Sequence, residues 1–328
     1  MQKSSPTIRE ATITGYKHSL STLLDSIDFS RVKDLIRCRY PSLVYNRGRK
    51  PHAPIAMLKA FIVKELIQIS SRRKLANFLK KNVYWIKKCG FRSPPHHDCF
   101  SEFIKRLGKD IFILVFNELV RQLKEMNAFI GNFIAIDSTL FKAYSHPQKG
   151  KQASDPDARW GIGSKKEWVF GYKLHVACDA DSELPLSFEV TPANRYDSTQ
   201  YRTHLKDLIK KNIKFRYVLA DAGYDTKENR EITEIIGAIP VIPVNPRRLG
   251  KEHSMKNDLM PCYKKRCSVE RVFSRLKEGL GLKMLKVREL QKVVVHVAIS
   301  LIAMLSVAVT AIMIGRRDFV NSISLFSF

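Results

Sequence analysis

Four residues in the run YKKRCSVERVFSRLK carry side chains suited to phosphate chemistry: Tyr263, Arg266, Glu270 and Lys277. A helix turns roughly 100° per residue, so their spacings of three, four and seven set all four within about 60° of one another. Val269, Val272, Phe273 and Leu276 fill the neighbouring stripe and can seat that helix on a core, while Arg271, Ser274, Arg275 and Glu278 face outward. One carboxylate among a phenol, a guanidinium and an ammonium suits a phosphate-handling site. The plainer reading is the solvated face of a basic helix. Two upstream segments bear on the choice. FIAIDST is an apolar, strand-like run ending in Asp137, and YVLADAGYD runs through Tyr217, Val218 and Leu219 to Asp221. An aspartate at the inner end of a buried strand is costly unless something positive pairs with it. Either alone reads equally as a cap or turn residue. With Glu270 they make three carboxylates. Hard divalent cations such as Mg2+ take oxygen ligands, and converging carboxylates can hold two ions for an in-line phosphoryl transfer.

In this combination Asp137, Asp221 and Glu270 resemble the acid triad of DDE transposases from prokaryotic insertion sequences. The Tyr263-Arg266-Glu270-Lys277 spacing is similar to the Tyr-Arg-Glu-Lys signature of the insertion-sequence-four type and its close relatives. The run GYKLHVACDADSELPLSFEVTPANRYDS, residues 171–198, resembles the family's second and third strands and the turn after them. YNRGRKPHAPIAMLKAFIVKEL and GFRSPPHHDCFSEFIKRL resemble the N-terminal domain that often precedes this core, so the likeness covers most of residues 40–310. The resemblance implies an α/β fold: a ribonuclease-H-like mixed sheet with helices on both faces, preceded by a mostly helical N-terminal domain. It implies a transposase that binds the ends of its insertion sequence, cleaves DNA and joins the 3′-hydroxyl ends to target DNA. Two Mg2+ ions, with Mn2+ able to substitute, would lie between Asp137, Asp221 and Glu270. Partners would be double-stranded DNA and, on DNA, a second copy of the chain. Only about 49 residues separate Asp221 from Glu270, which leaves little room for the β-rich insertion of some relatives.

The elements that must position these residues follow from pattern. After the Asp137 strand comes a polar loop, HPQKGKQASDPDARWGIGSKKE. Strands are expected at about 169–179, 184–191, 216–222 and 238–244, with helices over 198–211 and 226–236. Three strands in succession, then alternating helix and strand, describe a mixed sheet with helices on its faces. Residues 293–314 hold no Lys, Arg, Asp or Glu and are long enough to span a membrane. A helix apolar all round is equally at home inside a large protein, and a core helix is the expectation.

Composition sets the partner. The 328 residues include 57 Lys and Arg against 31 acids, a net charge of +26, which favours a polyanion such as nucleic acid over a merely solubilising surface. Residues 1–128 carry 25 basic and 10 acidic side chains. Six scattered cysteines show no paired-ligand spacing, so a reducing cytoplasm is the expected setting; the resemblance implies that of a prokaryote, next to the nucleoid. His96 and His97 adjoin Cys99, but nothing completes a zinc-finger spacing.

Three parts are expected: residues 1–128, helical and DNA-binding; 129–316, catalytic; 317–328, a tail expected to fray. In the first, Pro54 begins an apolar helix to about Ile69, and Ser70 and Ser71 can cap RRKLANFLKK. The second helix bears Arg72, Arg73, Lys74, Lys80 and Lys81, as a helix-turn-helix reader would, or simply as a solvated amphipathic helix. Arg266 can grip a phosphate with two prongs and Lys277 can act as a point charge, while Tyr263 can stack or hydrogen-bond near a DNA end. Asn194 and Asp197 can support the site or only their turn. Trp160 and Trp168 can stack on a base or pack. A metal-dependent nuclease, or an inactive DNA-binding regulator derived from a transposase, would share most of these features.

Overall fold

The computed structural model describes residues 18–37, 39–40, 51–147, 153–163, 167–245 and 259–327. The N-terminal part is helical: α1 (Leu20–Ser26), α2 (Ser30–Arg37), α3 (Pro54–Leu66), α4 (Arg72–Lys81), α5 (Val83–Cys89) and α6 (His97–Glu125). Ser71 caps α4 as expected, its hydroxyl accepting from the Lys74 N–H at 3.1 Å. α6 is broken at Gly108, whose φ of 67° leaves the helical region.

Six strands follow: β1 (Phe133–Lys142), β2 (Arg159–Ile162), β3 (Trp168–Asp179), β4 (Pro185–Pro192), β5 (Tyr217–Leu219) and β6 (Ile239–Val241). They form one sheet in which β4, β3, β1, β5 and β6 lie side by side, with β2 on the far end of β3. β3 runs antiparallel to both β1 and β4, whereas β5 runs parallel to β1 and β6 parallel to β5. Parallel neighbours need a crossover, which α7 (Ser198–Lys210) and α8 (Lys227–Ile235) supply. Three antiparallel strands followed by two parallel ones in this order make a ribonuclease-H-like sheet. Central β1 buries Ile134, Ala135 and Ile136 in succession because both of its faces are covered.

Two short helices, α9 (Met260–Lys264) and α10 (Cys267–Ser274), precede the long α11 (Leu290–Met313). α11 packs on α6, α3, α1 and β4, and its side chains are buried almost without interruption from Val293 to Ala311. Each fully buried Val, Leu or Ile there contributes roughly 1.5–3 kcal/mol. One hydrophobic core consequently runs from α1 to Phe326, joining N-terminal helices to the sheet. One of its polar inclusions, Glu65, is satisfied, accepting from Lys64 at 2.6 Å and from the Ser300 hydroxyl at 3.1 Å.

Three expectations are corrected. β2 lies inside the segment read as a polar loop. A Cβ at its Gly161 would come 2.4 Å from the Ala193 carbonyl, so close packing demands glycine there. The tail does not fray in its described part: Phe326–Ser327 pairs with His18–Ser19, and Leu325 and Phe326 are buried. The expected single helix over residues 263–277 is three segments, as described next.

Candidate active site

β1 and β5 pair in parallel only as far as Ala135 and Leu219. Asp137 and Asp221 each lie two residues further on, so they occupy matching positions on strands about 4.8 Å apart. That is the crevice beyond the carboxyl ends of parallel strands, where open α/β sheets bind ligands. Asp137 is not at a strand end, because β1 continues along β3 with Asp137 opposite Val176. Asp221 does serve as a cap: its Oδ1 accepts from the Gly223 N–H at 2.9 Å, at the start of the 3-10 turn Ala222–Tyr224. The cap and the candidate ligand are one side chain.

The signature helix crosses this face. Its backbone bonds tighten at Lys265 and Arg266, each donating three residues back, and it widens to a π-helical turn over Arg275–Gly279. Arg271 and Arg275, expected to face outward, both pair with Glu183. Glu183 is buried and has a φ of 57°, and two guanidiniums are what make a buried carboxylate tolerable. The stripe itself survives. Arg266 donates to Asp137 Oδ2 at 2.8 Å and to Glu270 Oε1 at 2.6 Å, linking the strand acid to the helix acid. Lys277 donates to Thr139 Oγ1 at 2.6 Å, two residues along β1 on the same face as Asp137. Tyr263 is half-buried, its ring 5.8 Å from the Arg266 guanidinium.

Electrostatics single out Asp137. Burial pushes its carboxyl up to about 6; the Ser138 N–H opposes this, the Asp221 charge adds to it, Arg266 opposes it and Asp197 adds again. Burial also holds the Lys277 ammonium below its usual range. Oxygen-rich and crowded with negative charge, with Asp137 and Asp221 partly buried and Glu270 open to solvent, this donor set fits a hard divalent cation. Asp137, Asp221 and Glu270 are the side chains that would hold it, Glu270 being spaced from Asp137 by the Arg266 guanidinium. Among the described residues the one three-ligand cluster within 4.8 Å is elsewhere, at His96, His97 and Asp98, with Asp98 rather than Cys99 beside the histidines.

Arg72, Arg73, Lys74, Lys80 and Lys81 are all exposed on α4. The turn before α4 touches the site's supporting helix, since the Gln68 side chain donates to the Glu278 and Gly279 carbonyls at 3.1 and 2.8 Å. Trp160 and Trp168 stand 49% and 66% exposed on the β2–β3 hairpin, so neither is absorbed by packing. Sequence reasoning passed over Tyr224 and left Asp197 as a possible turn residue, yet both charges and burial place them beside Asp137 and Ser138. The available signal was Lys173, a lysine inside an otherwise apolar strand, which requires an acid nearby.

Comparison with known proteins shows the family. The model of the transposase DDE domain matches residues 129–306, and that of a transposase domain (DUF772) matches residues 8–106. A probable transposase for insertion sequence element ISH11 from Halobacterium salinarum is 24% identical over 251 residues, covering 71% of this chain and 72% of the relative. Among solved structures, a piggyBac transposase synaptic complex with hairpin DNA aligns with 98% of this chain and 82% of its own at 11% identity and a TM-score of 0.49. The Mos1 strand transfer complex aligns with 74% of this chain and 69% of its own at 13% identity and a TM-score of 0.28. With the DDE domain matched over more than half of its length, the chain belongs to the DDE transposases of insertion sequences.

Proposed function

We propose that this transposase binds the ends of its element, cleaves there and joins the freed 3′-hydroxyls to target DNA, with Asp137, Asp221 and Glu270 as its catalytic acids. The observation that carries the reading is the placement of Asp137 and Asp221 at matching positions two residues past the parallel pairing of β1 and β5, with Glu270 tied in through Arg266. Divalent cations held by these acids, two Mg2+ in this reading or Mn2+ in their place, supply activation of the attacking oxygen and stabilisation of the leaving oxygen. The chain's own side chains do the rest. Arg266 is poised to exchange a carboxylate for a phosphate, keeping its two-pronged geometry. Lys277 offers a point charge to a neighbouring phosphate, and Tyr263 buttresses Arg266 close to the DNA end. The basic residues of α4 hold flanking duplex by its backbone, and residues 1–128 act as the DNA-binding part beside a catalytic part over 129–316. Two DNA ends must be paired, so the working form is a dimer on DNA, in the prokaryotic cytoplasm.

The test is a Mg2+-dependent reaction of purified protein with the DNA flanking its own gene and a supercoiled target plasmid, run beside Glu270→Gln. Joined products made by the wild type and not by the variant support the reading. Cleavage without joining would favour a nuclease, and specific binding alone a DNA-binding regulator.

A further inference from the structure

The face of the sheet opposite Asp137 holds polar side chains that the reaction above does not use. Ser138 pairs with His175 across the β1–β3 ladder, and Lys173 lies two residues along, so the three share this reverse face. Lys173 and His175 are buried there. The Lys173 ammonium donates to the Arg195 carbonyl at 2.9 Å and meets Asp197 Oδ1 at 2.9 Å. The Ser138 hydroxyl donates to the same Asp197 oxygen at 2.9 Å. His175 approaches it with Nδ1 at 3.7 Å while its Nε2 bonds Thr191 Oγ1 at 3.0 Å. Asp197 immediately precedes α7, where an aspartate ordinarily caps the helix, yet its side chain makes no cap hydrogen bond. The carboxylate turns to the sheet instead.

A second observation concerns Tyr224. Its hydroxyl is buried and, among the described residues, finds no hydrogen-bond partner of full geometry, although Ser138 lies close and Asp137, Asp197 and Asp221 all act on it. Ser138 gives its one proton to Asp197, so its lone pairs remain to accept from Tyr224. Ser138 is therefore the node of the network. Its side chain belongs to the reverse face, while its peptide N–H donates to Asp137 Oδ1 at 2.7 Å.

We propose that Asp197 is a positioning residue for Asp137 and acts through Ser138. Lys173 fixes the Asp197 carboxylate, Asp197 fixes the Ser138 side chain, and the Ser138 N–H fixes one oxygen of Asp137. Arg266 holds the other oxygen, so the acid is oriented before a cation arrives. The inference rests on Asp137 being a metal-binding acid, as read above.

The experiment is a titration of the full chain with Mn2+, without DNA, in which free Mn2+ is read by electron paramagnetic resonance and folding by thermal unfolding. Asp197→Ala and Ser138→Ala are each expected to weaken Mn2+ binding roughly 10–100-fold, the usual effect of removing a residue that orients a ligand. The double variant should be no worse than the weaker single one, because both break one link. Ser138→Thr keeps the hydroxyl and should return to within a few fold of wild type. Unchanged affinity in folded single variants, or losses that multiply in the double, would overturn the proposal. Should Asp197→Ala not fold, equal affinity in Ser138→Ala and Ser138→Thr would overturn it alone. Equal binding by wild type and Asp137→Asn would instead overturn the metal assignment, and this inference with it.

Discussion

Asp137→Asn should make the metal-free protein more stable while destroying its chemistry. In the folded chain the carboxyl is held at about 6, against 3.8 for the ordinary group, chiefly by burial. The unfolded chain then loses its proton first as the pH rises. Stability that is fully present below pH 3.8 is lost as the pH climbs toward about 6. At 1.36 kcal/mol per unit, a gap of about two units corresponds to about 3 kcal/mol. The side chain is 18% exposed, so solvent screening removes part of this and the figure is an upper limit. Asparagine carries no charge and escapes the loss. In urea unfolding with EDTA, the variant should exceed wild type by up to about 3 kcal/mol at about pH 8, with the difference vanishing near pH 4. Mg2+ should close the gap, since a ligand at a hundred times its Kd stabilises the folded state by about 2.7 kcal/mol. A variant no more stable than wild type at the higher pH, without metal, would refute the argument that burial and neighbouring acids work against this carboxylate.

Asp221→Asn and Glu270→Gln should abolish cleavage while element-end binding stays within a few fold; cleavage retained in both purified variants would remove them from the acid set. Lys277→Ala should weaken DNA binding and reduce the slope of log affinity against log salt by about one, as expected for one lost phosphate contact. An unchanged slope would take Lys277 off the backbone. Gly171→Ala should prevent stable folding, because a Cβ there would lie 1.9 Å from the Phe141 carbonyl in the β1–β3 ladder. Soluble protein with a wild-type unfolding midpoint would contradict that close approach.

The fold and the candidate acids were legible for a common reason: both are written in short-range pattern. Apolar runs of strand length gave β1, β3 and β4, and the 3.6-residue period put Arg266, Glu270 and Lys277 on one stripe. The stripe survived a tightened turn and a π-helical one because its seat on Val269, Val272 and Leu276 is buried. β5 and β6 proved shorter than expected because strand ends depend on partners, and β5 pairs β1 over three residues only. β2 was hidden for the same cause, since its pairing with β3 and its contact with Ala193 are long-range.

By itself, the sequence determined which side chains are available: three carboxylates, a helical stripe bearing Tyr263, Arg266 and Lys277, and a net charge of +26 that suits a polyanion. It also determined that residues 293–314 must be hidden from water, though not where. Tertiary structure decided that α11 lies under the sheet and the N-terminal helices, because only packing distinguishes a buried apolar helix from a membrane-spanning one. It decided that Arg266 stands between Asp137 and Glu270, that Arg275 and the outward-lying Arg271 both pair with Glu183, and that the Asp197 side chain turns from its helix to Ser138. Apart from the Arg266–Glu270 pair, four residues apart, these are encounters between side chains tens to more than a hundred residues apart. Local periodicity fixes a direction within one element, whereas the partner waiting there is set by how elements stack.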